Sequence, residues 1–82
     1  MTDKFFIFGK SSCPFCLMAV DLLIALQAEH HFLDYDFNID ILEDYKDFYN
    51  QSTVPIILAN NIVTGEVTKV GGYTDLLEYV GD

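Results

Sequence analysis

The chain has only two cysteines, Cys13 and Cys16, and they lie between two different kinds of apolar segment. Residues 4–8 before them combine aromatic and β-branched side chains and end at Gly9, which is typical of a buried strand. The segment after them is apolar almost throughout as far as about Glu29, which predicts a helix that packs on more than one side. A cysteine pair at a strand-to-helix junction restricts the chain to folds in which strands and helices follow one another closely.

The spacing of the two cysteines favours reactivity over a structural role. A disulfide between them would close a very small loop, and small loops stabilise a fold least. A Cys-x-x-Cys beside a strand–helix–strand pattern is typical of a redox pair, in which one thiolate attacks a disulfide while its partner stays within reach. A zinc site needs four ligands, and the other candidates, His30 and His31, are adjacent in sequence. We therefore expect thiol–disulfide exchange, no metal, and two solvated histidines.

The two cysteines are expected to have different roles because they occupy different positions on the helix. The thiolate is the nucleophile, and a free thiol is mostly protonated at neutral pH. Cys13 lies at or just before the first turn, where the helix dipole stabilises an exposed anion by about 0.3–1 kcal/mol. Lys10 adds positive potential there, and the amides of the first turn can donate hydrogen bonds. Cys16 should be the more buried of the two, with the higher pKa, so we assign Cys13 as the attacking cysteine and Cys16 as the resolving one.

The predicted helices begin at residues that suit helix starts. Ser11 or Ser12 can cap the first helix, and Pro14 suits its first turn, where no amide donor is needed. Asp40 is the predicted cap of the second helix, with Glu43 in the capping-box position.

The remaining segments complete an α/β fold. The predicted elements are a strand over residues 4–8, a helix over about 14–29, a strand over 32–37, a helix over 41–50, strands over 54–59 and 67–70, and a helix over 73–80. This βαβ-α-ββα order gives a four-stranded mixed sheet flanked by helices, because the first crossover joins parallel strands and the hairpin adds antiparallel ones. The hairpin turn falls either at residues 60–61 or at residues 63–66. A chain of 82 residues suits one domain over residues 1–82.

The charge balance excludes several classes of partner. Thirteen acidic residues against four lysines give a net charge of −9, which argues against nucleic acid and against anionic membrane surfaces. The N-terminus lacks a basic region followed by a long apolar one, and the apolar run at residues 17–26 is broken by Asp21 and is too short to span a bilayer. We expect a cytoplasmic protein, because thiols are kept reduced there and cysteine pairs tend to be catalytic.

Three segments, in this order, resemble the glutaredoxin family. They are KSSCPFC at residues 10–16, TVP at residues 53–55 and GGYTDL at residues 71–76. The cysteine motif alone is moderately specific, whereas all three at these separations are strongly specific, and the resemblance covers nearly the full length. It implies a thioredoxin-like fold, in a monomeric dithiol (CPFC) glutaredoxin domain that uses glutathione as its reductant.

The resemblance also implies a binding site for glutathione. Pro55 matches the family's cis-proline, so that Val54, with Thr53 beside it, would present its main chain to the cysteinyl unit. Lys10 matches the lysine that pairs with the glycyl carboxylate. Phe15 stands where tyrosine is commoner, which keeps the aromatic ring and loses the hydroxyl.

A second part of the implied site lies at the start of the last helix. Gly72, Tyr73, Thr74 and Asp75 match the segment that holds the γ-glutamyl end of glutathione. Elementary chemistry agrees, because the free amides of a helix N-terminus bind a carboxylate and Asp75 can accept from an ammonium group. The alternative is that Thr74 or Asp75 only caps its helix.

The implied function is glutathione-dependent reduction of protein disulfides and of glutathione mixed disulfides, with ribonucleotide reductase as a family-level substrate. One alternative is a redoxin of the same fold that thioredoxin reductase reduces, against which the pair Thr74 and Asp75 argues. Another is a non-enzymatic iron–sulfur cluster carrier, which a proline after the first cysteine disfavours. Leu17, Met18 and Ser52 stand where many relatives carry basic residues, so we expect a weaker affinity for anionic glutathione.

Overall fold

A computed structural model of the chain describes residues 2–81, which form four strands and three helices. The elements are β1 (Asp3–Gly9), α1 (Pro14–Ala25), β2 (His30–Asp34), α2 (Ile39–Phe48), β3 (Ile56–Asn61), β4 (Val67–Gly71) and α3 (Tyr73–Val80). The predicted order of strands and helices is confirmed, and so is the α/β fold class. No helix among these residues has both the length and the apolar character needed to cross a membrane.

The four strands form one mixed sheet in the order β2-β1-β3-β4. β1 runs parallel to β2, as a crossover through α1 requires, and antiparallel to β3. β4 pairs with β3 as an antiparallel hairpin, whose turn follows Asn61 and contains Gly65 at a φ of 79°. Of the two predicted turn positions, residues 63–66 are therefore confirmed, and residues 60–61 belong to β3.

Apolar side chains fill both faces of this sheet. On one face, Phe5 of β1 packs with Leu23 of α1 and Leu76 of α3, and all three side chains are fully buried. On the other face, Phe8 packs with Leu42 of α2. Because neighbouring residues of a strand point to opposite faces, β1 contributes to both clusters. The helices flank the sheet as predicted, with α1 and α3 on one side and α2 on the other.

α1 is shorter than predicted, because it ends at Ala25 rather than near Glu29. Gln27 adopts a φ of 57°, and the amide of Ala28 donates to the carbonyl of Leu23 at 3.0 Å. A left-handed residue combined with this hydrogen bond is the Schellman arrangement, which ends a helix and redirects the chain. The sequence offers no glycine at this point, so its local pattern does not predict a left-handed turn.

The prediction that α1 packs on more than one side is wrong. Its buried residues, Cys16, Ala19 and Leu23, follow the helical spacing of three and four and therefore occupy a single face. Leu17 and Met18 on the other side are 44% and 42% exposed. α1 therefore leaves apolar surface in contact with solvent close to the cysteines.

Two further boundaries differ from the predicted ones. β2 covers His30–Asp34, so the two histidines lie in a strand rather than at a junction, because they pair with β1. α2 covers Ile39–Phe48, and its cap is Asn38 rather than Asp40, because the first helical hydrogen bonds end on the carbonyl of Asn38. Glu43 consequently lies beyond the capping-box position.

Candidate active site

Cys13 lies where the chain leaves β1 and enters α1. It is itself the N-cap residue of α1, with φ −95° and ψ 115°, and its Sγ accepts a hydrogen bond from the amide of Cys16 at 3.3 Å. The prediction that Ser11 or Ser12 caps α1 is therefore wrong. The sulfur of Cys13 thus lies at the N-terminus of α1, within hydrogen-bonding distance of a main-chain amide.

The two serines before Cys13 instead bind two carboxylates from the segment around the end of β2. Asp34 accepts a hydrogen bond from the amide of Ser11 at 3.0 Å. Asp36 accepts from the hydroxyl of Ser11 at 3.0 Å, and from the amide and the hydroxyl of Ser12, both at 3.1 Å. The amide of Asp36, with that of Ser11, lowers the pKa of Asp34. These contacts attach the loop that carries Cys13 to the neighbouring strand end.

Cys16 is fully buried, one helical turn beyond Cys13. It packs so tightly against Gly9 that a β-carbon placed on Gly9 would lie 2.5 Å from the Sγ of Cys16. Burial raises the pKa of Cys16 from 9.0 to about 12, and the hydrogen bond it shares with Cys13 adds to the rise. The prediction that Cys16 is the more buried of the two cysteines is confirmed.

We expect Cys16 to make the reduced protein less stable as the pH rises from 9 toward 12. In the unfolded chain the thiol ionises near its ordinary pKa of 9.0, whereas in the folded protein it stays protonated up to about 12. The folded state then binds more protons, so the free energy of unfolding falls, by at most about 1.4 kcal/mol per pH unit. Urea unfolding of the reduced protein from about pH 8 to about pH 11 measures this slope. The Cys16→Ala variant should show a shallower slope, and equal slopes in the two proteins would contradict the assignment.

A cavity of about 400 Å³ lies close to Cys13, within the range of about 300–1,000 Å³ that is usual for small-molecule sites. The Sγ of Cys13 is 4.0 Å from the carbonyl oxygen of Val54, which belongs to the cavity wall. The lining residues are Phe15, Gln51, Thr53, Val54, Pro55, Gly72, Tyr73, Thr74 and Asp75. All of them except Gln51 belong to the predicted set. The structure thus brings the three sequence segments together around one cavity, although Lys10, Cys13 and Cys16 do not line it and Phe15 is the lining residue of the first segment.

One wall of the cavity is a loop rather than the predicted start of β3. The strand begins at Ile56, and the preceding Val54-Pro55 peptide bond is cis. The side-chain nitrogen of Gln51 donates to the carbonyl of Thr53 at 3.0 Å and to that of Pro55 at 2.7 Å. The sequence analysis does not identify Gln51 as a site residue, because a single glutamine after a helix matches no functional motif. The one feature that could have indicated it is its position just before the Thr-Val-Pro segment.

The opposite wall is the first turn of α3, which begins after its N-cap residue Gly72. The amide of Gly72 donates to a carboxylate oxygen of Asp75 at 2.9 Å, so Asp75 does cap its helix. Gly71 has a φ of 118°, and a side chain there would collide with the Asp75 carboxylate. The remaining main-chain amides of this turn have no acceptor within the helix. They therefore place the positive end of the helix dipole at this wall of the cavity.

Aromatic rings and a lysine complete the surroundings of Cys13. The rings of Phe15 and Tyr73 approach to 6.1 Å between their centroids, and Phe15 is 56% exposed. Within residues 2–81, Lys4 and Lys46 form ion pairs with glutamates, whereas Lys10 forms none. The ammonium of Lys10 therefore remains available to an anion near the cysteines.

Comparison with known proteins agrees with this arrangement. The glutaredoxin family model matches residues 5–63 of the chain. Glutaredoxin 1 of Escherichia coli K12 is 31% identical over 77 residues, which cover 90% of this chain and 88% of that protein.

Solved glutaredoxin structures have the same fold. A wheat glutaredoxin superposes with a TM-score of 0.74 at 27% identity, over 94% of this chain and 70% of that one. The dithiolic glutaredoxin 2-C-Grx1 of Trypanosoma brucei brucei superposes with a TM-score of 0.72 at 26% identity, over 96% of this chain and 80% of that one. The thioredoxin-like fold is shared, and Cys13 and Cys16 of this chain fit a CxxC motif. From sequence and structure together, the chain belongs to the glutaredoxin family of thiol–disulfide oxidoreductases.

Proposed function

We propose that this glutaredoxin uses glutathione to reduce protein disulfides and glutathione mixed disulfides. The observation that carries the proposal is a cavity of tripeptide size between the loop at residues 53–55 and the start of α3, with the Sγ of Cys13 4.0 Å from the carbonyl oxygen of Val54 in its wall. We propose a monomer acting in the cytoplasm, on disulfide-bearing proteins among which ribonucleotide reductase is one candidate.

The first step is attack by the Cys13 thiolate on a disulfide. A bond forms between its Sγ and one sulfur of the substrate, the substrate disulfide breaks, and the other sulfur leaves as a thiolate that takes up a proton from water. Before the attack, the amide of Cys16 donates a hydrogen bond to the attacking sulfur at 3.3 Å.

The second step releases the substrate in one of two ways. The thiolate of Cys16 attacks Cys13, which releases the bound thiol and leaves a Cys13–Cys16 disulfide, or glutathione attacks a glutathionylated Cys13 and leaves as glutathione disulfide. Burial raises the pKa of Cys16, and the hydrogen bond and charge of Cys13 raise it further. Both contributions from Cys13 end once its sulfur is in a mixed disulfide, so ionisation of Cys16 becomes easier when it is needed.

Glutathione would bind along the cavity in an extended form. The main chain of Val54 would pair with the cysteinyl unit in the manner of a neighbouring strand. The free amides of α3 and the carboxylate of Asp75 would hold the charged γ-glutamyl end, since a helix N-terminus attracts a carboxylate and Asp75 can accept from an ammonium group. Lys10 would attract the glycyl carboxylate. Phe15 and Tyr73 would close the sides of the site.

We expect moderate salt to accelerate turnover of oxidised glutathione. The protein carries a net charge of −9, and glutathione disulfide is also anionic, so their encounter is slowed by repulsion. Raising the ionic strength from about 0.01 M to about 0.15 M shortens the screening length from about 30 Å to about 8 Å and should raise kcat/KM severalfold. An uncharged disulfide such as hydroxyethyl disulfide is the control and should show little change. A kcat/KM that falls steadily with salt would show that local attraction to Lys10 dominates.

Titration with defined glutathione redox buffers tests the proposed function directly. Mass spectrometry should find a glutathione adduct on Cys13 and, at more oxidising ratios, the Cys13–Cys16 disulfide. Coupled assays with glutathione plus glutathione reductase, or with thioredoxin reductase, identify the physiological reductant. Activity with thioredoxin reductase alone would replace the proposal by the redoxin alternative, and a visible-absorbing cluster after anaerobic reconstitution without reductase activity would replace it by the iron–sulfur carrier.

A further inference from the structure

The cavity contains a polar side chain, that of Gln51, that the sequence motifs do not explain. Gln51 follows the end of α2, where Asn50 has a φ of 54° and the amide of Gln51 donates to the carbonyl of Lys46 at 2.9 Å. This Schellman-type end fixes the direction in which the chain leaves α2. The main chain of Gln51 is therefore anchored to a helix.

The side chain of Gln51 connects that helix to the loop at residues 53–55. Its amide nitrogen, which carries two protons, donates to Thr53 at 3.0 Å and to Pro55 at 2.7 Å. The two accepting carbonyls flank Val54 on either side, and the carbonyl of Val54 itself lies 4.0 Å from the Sγ of Cys13. The glutamine thus uses both of its donors to hold the loop beside the nucleophile.

The α2 end of this connection is itself fixed to the sheet. The ammonium of Lys69, on β4, donates to the carbonyl of Tyr49 at 2.7 Å, at the C-cap of α2. On the other side, Pro55 is buried and leads directly into β3. The loop is therefore held between two rigid elements, and Gln51 is the side chain that links them.

We propose that Gln51 is a positioning residue that presents the main chain of Val54 to the peptide portion of a disulfide substrate. The inference rests on the proposed function, because it assumes that an extended thiol-bearing peptide pairs with Val54. Pairing between two main chains needs donors and acceptors in register, and a displacement of about 1 Å can cost as much as about 100-fold in rate. Thiol chemistry at Cys13 does not itself need this register.

The test compares two kinds of disulfide in a Cys16→Ser background, where only the reaction of Cys13 is observed. Gln51→Met keeps the side-chain length and removes both donors. We expect kcat/KM for a glutathionylated peptide to fall at least tenfold, mainly through KM, while the reaction with dipyridyl disulfide, which has no main chain to pair, changes less than twofold. Ser52→Ala alters the exposed neighbouring residue and serves as the matched control, with less than twofold change on both substrates.

A second variant adds a readout that a purely structural role would not produce. In Gln51→Glu the ionised carboxylate cannot donate and faces two carbonyl oxygens, so the loss at about pH 8 should exceed that of Gln51→Met. Protonation restores one donor, since a carboxylic acid carries an O–H group. The rate of the variant relative to the Gln51 parent should therefore recover as the pH is lowered toward about 5, above the ordinary glutamate pKa of about 4.3, because the two facing carbonyl oxygens disfavour the charged form.

Several outcomes would overturn the inference. Equal losses on both substrates, no loss on either, or a ratio for Gln51→Glu that does not change with pH would each show that Gln51 does not position Val54. Loss of folded protein in both variants would assign the hydrogen bonds to stability instead. If the parent protein reduced other peptide disulfides but not glutathionylated ones, the proposed function would fail, and the same comparison on a glutathione-free peptide disulfide would still decide the role of Gln51.

Discussion

Replacing Cys13 by serine is expected to reduce every thiol–disulfide activity of the protein to the uncatalysed rate. Serine retains the size of the side chain, but its hydroxyl does not ionise at neutral pH, even at a helix N-terminus. No nucleophile for a disulfide therefore remains at this position. Cys16 cannot substitute, because it is fully buried and that burial by itself raises its pKa. Coupled assays with a protein disulfide and with a glutathionylated peptide measure both activities.

Cys16→Ser is the matched variant and should separate the two activities. Reduction of a protein disulfide should be lost, because no second thiol releases the substrate from Cys13. Removal of glutathione from a peptide should persist, because free glutathione can attack glutathionylated Cys13. If Cys16→Ser abolished both activities while Cys13→Ser abolished neither, the two roles would have to be exchanged.

Gly9→Ala is expected to destabilise the protein by about 1–3 kcal/mol and to displace Cys16, the largest effect that we predict for a residue outside the cysteine pair. A β-carbon at this position would lie 2.5 Å from the Sγ of Cys16, 3.2 Å from its Cβ and 3.4 Å from the ring of Phe32. The clash is with a buried side chain on a helix that packs against the sheet, so the strain cannot be relieved by moving an exposed group. Urea unfolding measures the change in the free energy of unfolding.

A double-mutant cycle identifies the source of that strain. Cys16→Ala removes the sulfur that the new methyl group would meet, so Gly9→Ala should cost much less in this background than in the parent chain. A cost that is unchanged by Cys16→Ala would place the strain elsewhere, in the backbone of β1 or against Phe32.

The fold could be predicted from the sequence wherever the pattern of apolar residues or a turn signal was strong. Residues 4–8 have such a signal, and the structure confirms the strand there. The turn signals left two positions open for the hairpin turn, and the structure places it at residues 63–66. The end of α1 could not be predicted, because Gln27 takes a left-handed conformation without being glycine. The prediction that α1 packs on more than one side is wrong for a different reason. Apolar content shows that a side chain can be buried, but it does not show that the fold supplies a surface to cover it. Leu17 and Met18 therefore remain exposed.

The motifs of the candidate site could be predicted from the sequence, but the hydrogen bonds that hold these motifs in place could not. The segments with Cys13, Val54 and Asp75 stand in sequence order as recognisable patterns, and the structure brings all three together. The supporting contacts cross between segments that no local pattern connects, as in the hydrogen bond from the Ser11 hydroxyl to Asp36, 25 positions apart. A serine before a helix is most often a cap, so the competing long-range contact could only be seen once the sheet had placed the two loops side by side.

Because Ser11 and Ser12 are hydrogen-bonded to Asp34 and Asp36, the CPFC motif is harder to transfer to another protein than its short length suggests. Grafting residues 10–16 onto another thioredoxin-like scaffold would transfer both thiols and the proline but leave Ser11 and Ser12 without acceptors. The recipient would then need two carboxylates at the carboxyl end of its adjacent parallel strand before the grafted loop could hold its sulfur against the helix. The structural unit of this redox centre is thus a pair of loops that follow neighbouring strands. The cysteine motif is one of these two loops, and the segment with the two carboxylates is the other.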